Sequence, residues 1–200
     1  NEEKNIKKVI LKFKRFGKVL VVNDCSQDKT GVIATKYSNY LINNKSNKGY
    51  DKSLRTGLKY AAEKIKGIEI IFSIDGDGQH QLKNINLFIK KLGDNNIVIG
   101  KRQFFNRYSE RLVGFISKYL DKISDPLCGM KCYKKNYLLI LLKKLKNHED
   151  YIGMFFLTKK TKVSEVNIDV KKNESSNFGS GFKVNIKILF TYFKIKFKLI

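Results

Sequence analysis

The stretch IIFSIDGDGQH (Ile70–His80) runs from apolar residues into two aspartates, Asp75 and Asp77, which are separated by one glycine. The apolar part predicts a strand of the protein core, and the two carboxylates come where that strand ends. Because neighbouring carboxylates repel each other, this position indicates that a positive group binds there. Mg²⁺ and Mn²⁺ prefer oxygen ligands and often use few protein groups, with substrate phosphates completing the coordination. The stretch therefore predicts a divalent-cation site at the end of a core strand.

Two other acidic motifs do not fit this stretch. An EF-hand loop starts with the same pair of aspartates, but it needs Gly at its sixth position and Glu at its twelfth, where this chain has His80 and Asn86. A phosphatase that forms an aspartyl phosphate would have Thr or an apolar residue after the second aspartate, and Gly78 stands there. A surface turn with solvated aspartates and no ligand remains the alternative.

The composition indicates a single globular domain with an excess of positive charge. The chain has 200 residues, of which 42% are hydrophobic and 12% aromatic, so a sizeable core is expected. Lys and Arg number 41 against 18 Asp and Glu, which gives a net charge of +23. Such a charge suits an anionic partner, although A/T-rich codon usage would also enrich lysine. No nucleic-acid-binding signature is present, so we expect no nucleic acid partner.

The cysteines and the C-terminal tail bear on the cellular location. Cys25, Cys128 and Cys132 are odd in number and fit no disulfide framework, which predicts a reducing, cytoplasmic compartment. The apolar tail Val184–Ile200 contains four lysines, so we do not expect it to span a membrane. We expect a domain over residues 1–183, followed by a helix that either packs on it or lies on the anionic cytoplasmic face of a membrane.

Predicted strands and helices alternate along the chain. An amphipathic helix comes first, and a long helix follows near residues 50–65. Strands are predicted at Lys18–Asp24, Asn39–Asn44, Ile68–Asp75, Asn96–Arg102 and Val163–Val170. This alternation indicates an α/β fold with a mostly parallel sheet, in which ligands bind beyond the carboxyl ends of the strands. We therefore expect the polar residues at those ends to converge on one crevice: Asp24, Asn43, Asp75 and Arg102.

Several motifs, taken in order, resemble those of the family 2 glycosyltransferases of the GT-A fold, near the dolichyl-phosphate mannosyltransferase-like branch. The matching blocks are NEEKNI (Asn1–Ile6), VVNDCSQDKT (Val21–Thr30), NKGYDKSLRTGL (Asn47–Leu58), IDGDGQH (Ile74–His80), VIGKR (Val98–Arg102) and SDPLCGMKCY (Ser124–Tyr133). The last block resembles the acceptor-side loop of the family. Because the first block resembles the end of the family's first strand motif, we expect a Rossmann-like three-layer sandwich without that first strand.

The resemblance implies a nucleotide-sugar donor and a set of residues that bind its nucleoside. Glu2 or Glu3, together with Asp24, would contact the base and the ribose. Asn47 and Gly49 would line the nucleotide pocket, Gly49 because the backbone has to come close to the ligand there.

The resemblance also implies how the diphosphate is held. Asp77 would bind a Mg²⁺ or Mn²⁺ ion, Asp75 would face both the ribose and the metal, and Gln79 is a candidate for a further oxygen ligand. Arg102 would neutralise phosphate charge, although a solvated arginine is the alternative.

The implied reaction is an inverting transfer of the sugar to a cell-envelope glycan. A hydroxyl acceptor needs a general base, for which Asp150 is the first candidate and Asp125 the second; each is equally explained as a helix N-cap. A polyprenyl phosphate is the alternative acceptor, and it needs no base because it is already anionic.

Two departures from the family pattern motivate a further alternative, an inactive GT-A scaffold: the expected lack of the first strand, and Ser176 at a position where an arginine is expected. Asn23 stands where the family usually has an acidic residue, which bears on base selectivity, and Cys25 replaces a common glycine as a tolerated substitution. A basic nucleic-acid-binding protein is the remaining alternative from another class.

Overall fold

Helices and strands alternate through the part of the chain that the computed structural model describes. That part comprises residues 1–81, 83, 85–105, 107–144, 161–170, 185–186, 188–190 and 192–193. Its helices are α1 (Ile6–Phe13), α2 (Thr30–Tyr37), α3 (Tyr50–Lys64), α4 (Ile85–Leu92), α5 (Tyr108–Asp121) and α6 (Lys135–Lys144). Its strands are β1 (Leu20–Asn23), β2 (Tyr40–Asn43), β3 (Ile70–Ser73), β4 (Ile97–Arg102), β5 (Lys131–Lys134) and β6 (Val163–Ile168).

The strands form two hydrogen-bonded groups. β1 pairs with β2 in parallel, and the other four strands form a sheet in the order β3-β5-β4-β6. β6 is parallel to β4, whereas β5 is antiparallel to both of its neighbours. β3, β4 and β6 therefore point in one direction, with β5 alone opposed to them. This arrangement confirms the predicted α/β class with a mostly parallel sheet.

β5 is the strand that sequence patterning did not predict. Three of its four residues, Lys131–Tyr133, form the end of the block expected to be an acceptor-side loop, and KCYK lacks the apolar alternation of an ordinary strand. These residues become a strand through tertiary contacts, because β5 lies between β3 and β4 and hydrogen-bonds to both.

The core lies between the four-stranded sheet and the helices. β4 is buried throughout its apolar part, as expected for a central strand covered on both faces. α4 packs the helically spaced Ile85, Phe88 and Leu92 into the core. A smaller cluster joins α1 to α2 through Ile6, Ile10 and Ala34.

The tail predicted as a helix over Val184–Ile200 falls largely outside the described residues, although those described there are helical. Among the described helices, none has both the length and the apolar character that a membrane span requires.

Candidate active site

The two aspartates lie in a turn that follows β3. Gly78 has a φ of +79°, a left-handed conformation that a glycine adopts easily and that lets the chain reverse after Asp77. The Asp77 Oδ1 atom accepts a hydrogen bond from the backbone N–H of Gln79 at 3.0 Å. This bond fixes one carboxylate oxygen of Asp77 within the turn.

Asp75 pairs with a histidine that the sequence interpretation did not include in the site. The Asp75 Oδ2 atom lies 3.2 Å from Nε2 of His80, whose side chain is buried. The other ring nitrogen, Nδ1, is buried and has no hydrogen-bond partner among the described residues. The only sequence signal for His80 is its place directly after Gln79 in the acidic stretch.

Asp75 also lies directly against the backbone of Gly129. A Cβ atom built on Gly129 would be 2.1 Å from Oδ2 and 2.4 Å from Oδ1 of Asp75. The Gly129 carbonyl accepts a hydrogen bond from Ser73 Oγ at 2.9 Å, which ties the loop to the end of β3. His80 and Gly129 together hold the Asp75 carboxylate in place, and only a glycine leaves room for it.

The two aspartates have opposite electrostatic environments. Burial works against ionisation of Asp75, but the hydrogen bond from His80 and the charges of His80, Lys131 and Arg102 keep its pKa below the usual value. Burial raises the pKa of Asp77; the charge of Asp75 adds to the rise, while the Gln79 N–H opposes it. A cation at this turn would offset the unfavourable charge of Asp77.

A second part of the site is the loop between β2 and α3, which Asp24 holds together. Asp24 Oδ1 accepts hydrogen bonds from Asn44 Nδ2 at 2.8 Å and from the Lys48 N–H at 2.9 Å. Its Oδ2 accepts one from the Gly49 N–H at 2.8 Å, and the Asn47 side chain accepts one from the same N–H at 3.0 Å. Although burial opposes it, these bonds lower the pKa of Asp24. The structure therefore brings Asp24, Asn47 and Gly49 together, and their contact with a nucleotide stays a prediction.

The Gly49 loop reaches the acidic turn through the first residue of α3. Gly49 has a φ of +83°, and Tyr50 follows it with its hydroxyl donating a long hydrogen bond of 3.5 Å to Asp75 Oδ1. The predicted crevice thus contains Asp24 and Asp75. Asn43 instead accepts a hydrogen bond from the side chain of Asn23 at 3.0 Å.

The structure separates the two N-terminal glutamates. Glu2 lies beside the acidic turn, with its Cγ 4.0 Å from the position of a Cβ atom built on Gly76. Burial is the main cause of the raised pKa of Asp77, and the charge of Glu2 adds to it. Glu3 lies at the start of α2, where its Oε2 accepts a hydrogen bond from the Lys29 N–H at 3.1 Å. Its own N–H donates to Asp28, so Glu3 does not share the position of Glu2.

Arg102 and Asp125 have a different role from the one expected of each. The Arg102 Nε and Nη2 atoms donate to the two oxygens of Asp125 at 2.7 and 2.9 Å, and the Arg102 N–H donates to Asp125 as well. Glu110 lies 3.4 Å from the same guanidinium, and Asp125 is fully buried. The guanidinium is therefore neutralised by protein carboxylates, and Asp125 is a buried ion-pair partner with both oxygens occupied. This geometry corrects the expectation of Asp125 as a base and of Arg102 as a cation available to phosphate.

Asp150, the first candidate for the base, lies outside the described residues, as does Ser176. Cys25, which replaces a glycine common in the family, has a φ of +61°, a conformation that glycine adopts without strain. The three cysteines are free thiols. Burial raises the pKa of the Cys128 thiol to about 12, so it is no nucleophile at neutral pH.

The donor set of the acidic turn fits a hard divalent cation. No group of three or more His, Cys, Asp or Glu side chains that suits a metal occurs within the described ranges. Two carboxylates and the Gln79 amide offer oxygen atoms only, which suits Mg²⁺ or Mn²⁺ with further ligands from a diphosphate. Such a site would be complete only with substrate, and it stays a prediction.

The family is shown by sequence comparison. The profile described as Glycosyl transferase family 2 matches residues 1–166, so the chain belongs to glycosyl transferase family 2.

Three relatives show where in the family the chain lies. A Methanocaldococcus jannaschii protein described as uncharacterized is 32% identical over 69% of this chain and 69% of its own length. The UDP-N-acetylglucosamine–dolichyl-phosphate N-acetylglucosaminyltransferase of Methanococcus voltae is 28% identical, over 94% of this chain and 91% of that protein. A dolichyl-phosphate beta-glucosyltransferase of Trichomonas vaginalis is 27% identical, over 88% and 64%. The last two confirm the resemblance to the dolichyl-phosphate branch.

Solved structures confirm the GT-A fold. Glucosyl-3-phosphoglycerate synthase from Mycobacterium tuberculosis in complex with phosphoglyceric acid matches with a TM-score of 0.69 at 15% identity, over 98% of this chain and 76% of that chain. Its complex with Mn²⁺, uridine diphosphate and phosphoglyceric acid also matches with a TM-score of 0.69, at 16% identity, over 98% and 75%. At these identities the similarity concerns the fold.

Proposed function

We propose that this protein transfers a sugar from a nucleotide-sugar donor to a polyprenyl phosphate of the dolichyl type, with inversion at the sugar carbon. The observation that carries the proposal is the pair Asp75 and Asp77 at the end of β3, connected through Tyr50 to the Gly49 loop. The acceptor class is supported by the two relatives that are named as dolichyl-phosphate glycosyltransferases.

The donor would lie across the two parts of the site. Asp24 shapes the Gly49 loop through its three hydrogen bonds, so that the loop backbone presents a preformed surface to the nucleoside. Asp77, and Asp75 beside it, would hold Mg²⁺ or Mn²⁺, with Gln79 as a further candidate. When bound, such a cation stabilises the negative charge that develops on the departing diphosphate. Mn²⁺ together with uridine diphosphate in a structural neighbour supports this choice of ligands.

Asp75 would act mainly through its fixed position. Its carboxylate is held by His80 and fitted against Gly129, so binding of the donor would require little reorganisation there. Its lowered pKa keeps it charged at neutral pH. The nearby charges of Lys131 and Arg102 balance it and leave Asp77 as the carboxylate that most needs a cation.

The acceptor determines whether a base is needed. A polyprenyl phosphate attacks as an anion, so no proton has to leave as the bond forms. A glycan hydroxyl would need a base, and Asp125 is already held by Arg102. The glycan acceptor therefore depends on Asp150.

Calorimetry with the metal and the nucleotide tests the donor half of this proposal. We expect uridine or guanosine diphosphate to bind in the presence of Mn²⁺ and to lose most of its affinity in EDTA, because without the cation the carboxylates of Asp75 and Asp77 repel the negative diphosphate. Asp77→Asn should bind weakly in both conditions, while Asp94→Asn, an exposed aspartate after α4, serves as the matched control. Equal affinity with Mn²⁺ and with EDTA would refute the metal site.

Transfer of radiolabelled sugar tests the acceptor half. Detergent-solubilised dolichyl phosphate is compared with dolichol, its unphosphorylated alcohol, and product is expected from the phosphate only. Nucleotide binding without transfer to any acceptor would instead support the inactive GT-A scaffold.

A further inference from the structure

α5 has an apolar face that the described part of the chain leaves uncovered. Tyr108, Leu112, Phe115 and Tyr119 are 83%, 47%, 73% and 87% exposed. Their spacings of four, three and four residues place them on one side of the helix. Four large side chains in one continuous row are more than the scattered exposed hydrophobic residues of an ordinary surface. We refer to these four residues as the α5 face.

The opposite side of α5 is packed so closely that the orientation of the helix is fixed. Val113 and Ser117 are fully buried, and a Cβ atom built on Gly114 would lie 2.6 Å from the carbonyl oxygen of Ser124. Rotating the helix to bury the α5 face would break this contact. Within the described part of the chain, the packing of the helix therefore keeps the α5 face exposed.

The C-terminal helical segment, described at residues 185–186, 188–190 and 192–193, extends this exposed surface. The Ser109 hydroxyl donates to Asn185 Oδ1 at 2.6 Å, and the Tyr192 hydroxyl donates to Asp121 Oδ2 at 3.2 Å. The segment is thus attached near both ends of α5. It adds further exposed apolar side chains beside that helix, namely Ile186, Phe190 and Phe193.

The positive charge around the α5 face favours an anionic membrane over a second copy of this chain as its binding partner. Arg111, Lys118 and Lys122 are exposed on and just after the helix. A second copy of this chain would bring another +23 charge against this one, which opposes self-association. Aromatic and aliphatic side chains bordered by cations are the composition of helices that lie in the headgroup region of an anionic bilayer. Basic residues near such a surface add electrostatic attraction to the anionic lipids.

The helix is also joined to the active-site edge. α5 begins six residues after β4 ends at Arg102, and Glu110 in its first turn is 3.4 Å from the Arg102 guanidinium. The first turn of α5, which begins at Tyr108 of the α5 face, is therefore in contact with Arg102, the last residue of β4.

We propose that the α5 face, with the C-terminal segment beside it, is the surface through which this protein docks on an anionic membrane. The docking itself stands without the proposed function. Its purpose, to bring the site to the phosphate of a membrane-embedded polyprenyl acceptor, rests on that function.

Vesicle co-sedimentation tests the proposal. The full chain is mixed with vesicles of phosphatidylcholine alone or of phosphatidylcholine with phosphatidylglycerol, without donor or acceptor. We expect binding to the anionic vesicles that weakens as salt is raised. Phe115→Glu should lower the vesicle-bound to free ratio by about tenfold or more, because an exposed aromatic ring that would enter the headgroup region is replaced by a charge of the same sign as the anionic lipids. Val32→Glu on α2, whose wild-type residue is also 73% exposed, is the matched control and should bind as the wild type does.

Three outcomes would overturn the docking surface: no binding to anionic vesicles, equal loss in Phe115→Glu and Val32→Glu, or a dimer in sedimentation equilibrium that Phe115→Glu dissociates. Nucleotide binding by calorimetry is measured on the same Phe115→Glu sample and should be unchanged. Loss of vesicle binding with intact nucleotide binding supports the docking surface. Vesicle binding by a wild-type chain that binds no nucleotide would refute the donor site alone.

Discussion

The conformation of single residues explains why the acidic turn has a defined geometry. Asp75 is enclosed by His80 on one side and by the bare backbone of Gly129 on the other, while Asp77 has one oxygen held by the Gln79 N–H. Each of these contacts depends on one side chain or, at Gly129, on the lack of one. Single substitutions should therefore alter the site while the domain still folds.

Gly129→Ala is expected to disable the site while the protein still folds. The new Cβ would overlap the Asp75 carboxylate, which is the mobile end of a side chain and would be displaced. A misplacement of about 1 Å commonly costs about 10²-fold in turnover, so we expect a loss of that order, together with weaker metal-dependent nucleotide binding. Gly17→Ala, at a glycine with open space around it, is the control and should leave both measurements unchanged. Normal turnover in Gly129→Ala would show that the position of Asp75 is not required.

Asp24→Asn should change how stability depends on pH. The folded pKa of Asp24 is lowered by its hydrogen bonds, against burial, so the carboxylate stabilises the fold above its unfolded pKa of 3.8. That contribution is lost as the pH falls through the folded pKa. In urea unfolding we expect Asp24→Asn to be less stable than the wild type by about 1–2 kcal/mol at pH 7. The two free energies should approach each other below pH 3.8, and a difference that is independent of pH would contradict this assignment.

At the scale of elements, α5 connects the site to the surface. Its N-terminal turn contacts Arg102 through Glu110, its middle packs on the loop that contains Ser124, and its outer side is apolar. The helix therefore has a packed side and an exposed side, and substitutions on the packed side should lower the stability of the domain more than those on the exposed side.

Gly114→Ala should destabilise the domain, whereas Lys118→Ala on the exposed side of the same helix should not. The Cβ added at Gly114 meets a backbone oxygen, which has less freedom to move than a side chain. Overpacking of this kind costs about 1–3 kcal/mol, measured as the free energy of unfolding in urea. If Gly114→Ala were as stable as Lys118→Ala, the close contact of α5 with residue 124 would be wrong.

The whole molecule combines a compact α/β domain with a net charge of +23. Like charges on one surface repel each other and oppose the folded state, and salt screens them over about 10 Å at 0.1 M. We expect the thermal unfolding midpoint to rise between about 0.02 and 0.3 M NaCl. KCl should act like NaCl, because the effect is screening and not specific binding. A midpoint that does not change with salt would indicate that the charges are paired or well separated.

The class of acceptor also belongs to the scale of the whole molecule, because the acceptor enters from outside and meets the donor in the site. Under the polyprenyl phosphate proposal, Asp150→Asn should keep near-normal turnover with dolichyl phosphate. A fall of about 10²-fold or more, with donor binding unchanged, would indicate a general base and a hydroxyl acceptor.

The amino-acid sequence alone predicts the α/β class, the positions of most strands and the acidic turn, because these depend on local apolar patterning. The shared crevice of Asp24 and Asp75 follows from the same pattern, since polar residues after parallel strands meet at one sheet edge, whereas the place of Asn47 and Gly49 beside Asp24 came from the family resemblance. His80 and Gly129 could not be predicted as partners of Asp75, because their roles come from contacts between segments that are far apart or unpatterned.

The strand β5, the Arg102–Asp125 ion pair and the exposed side of α5 follow from contacts between distant parts of the chain. KCYK becomes a strand through its two neighbours, and Arg102 is occupied because the fold brings a buried carboxylate to it. In α5 the local pattern shows apolar residues on more than one side, and it does not say which side packs. The packing of Gly114 against the carbonyl of Ser124 makes that choice, and it leaves Tyr108, Phe115 and Tyr119 facing outward.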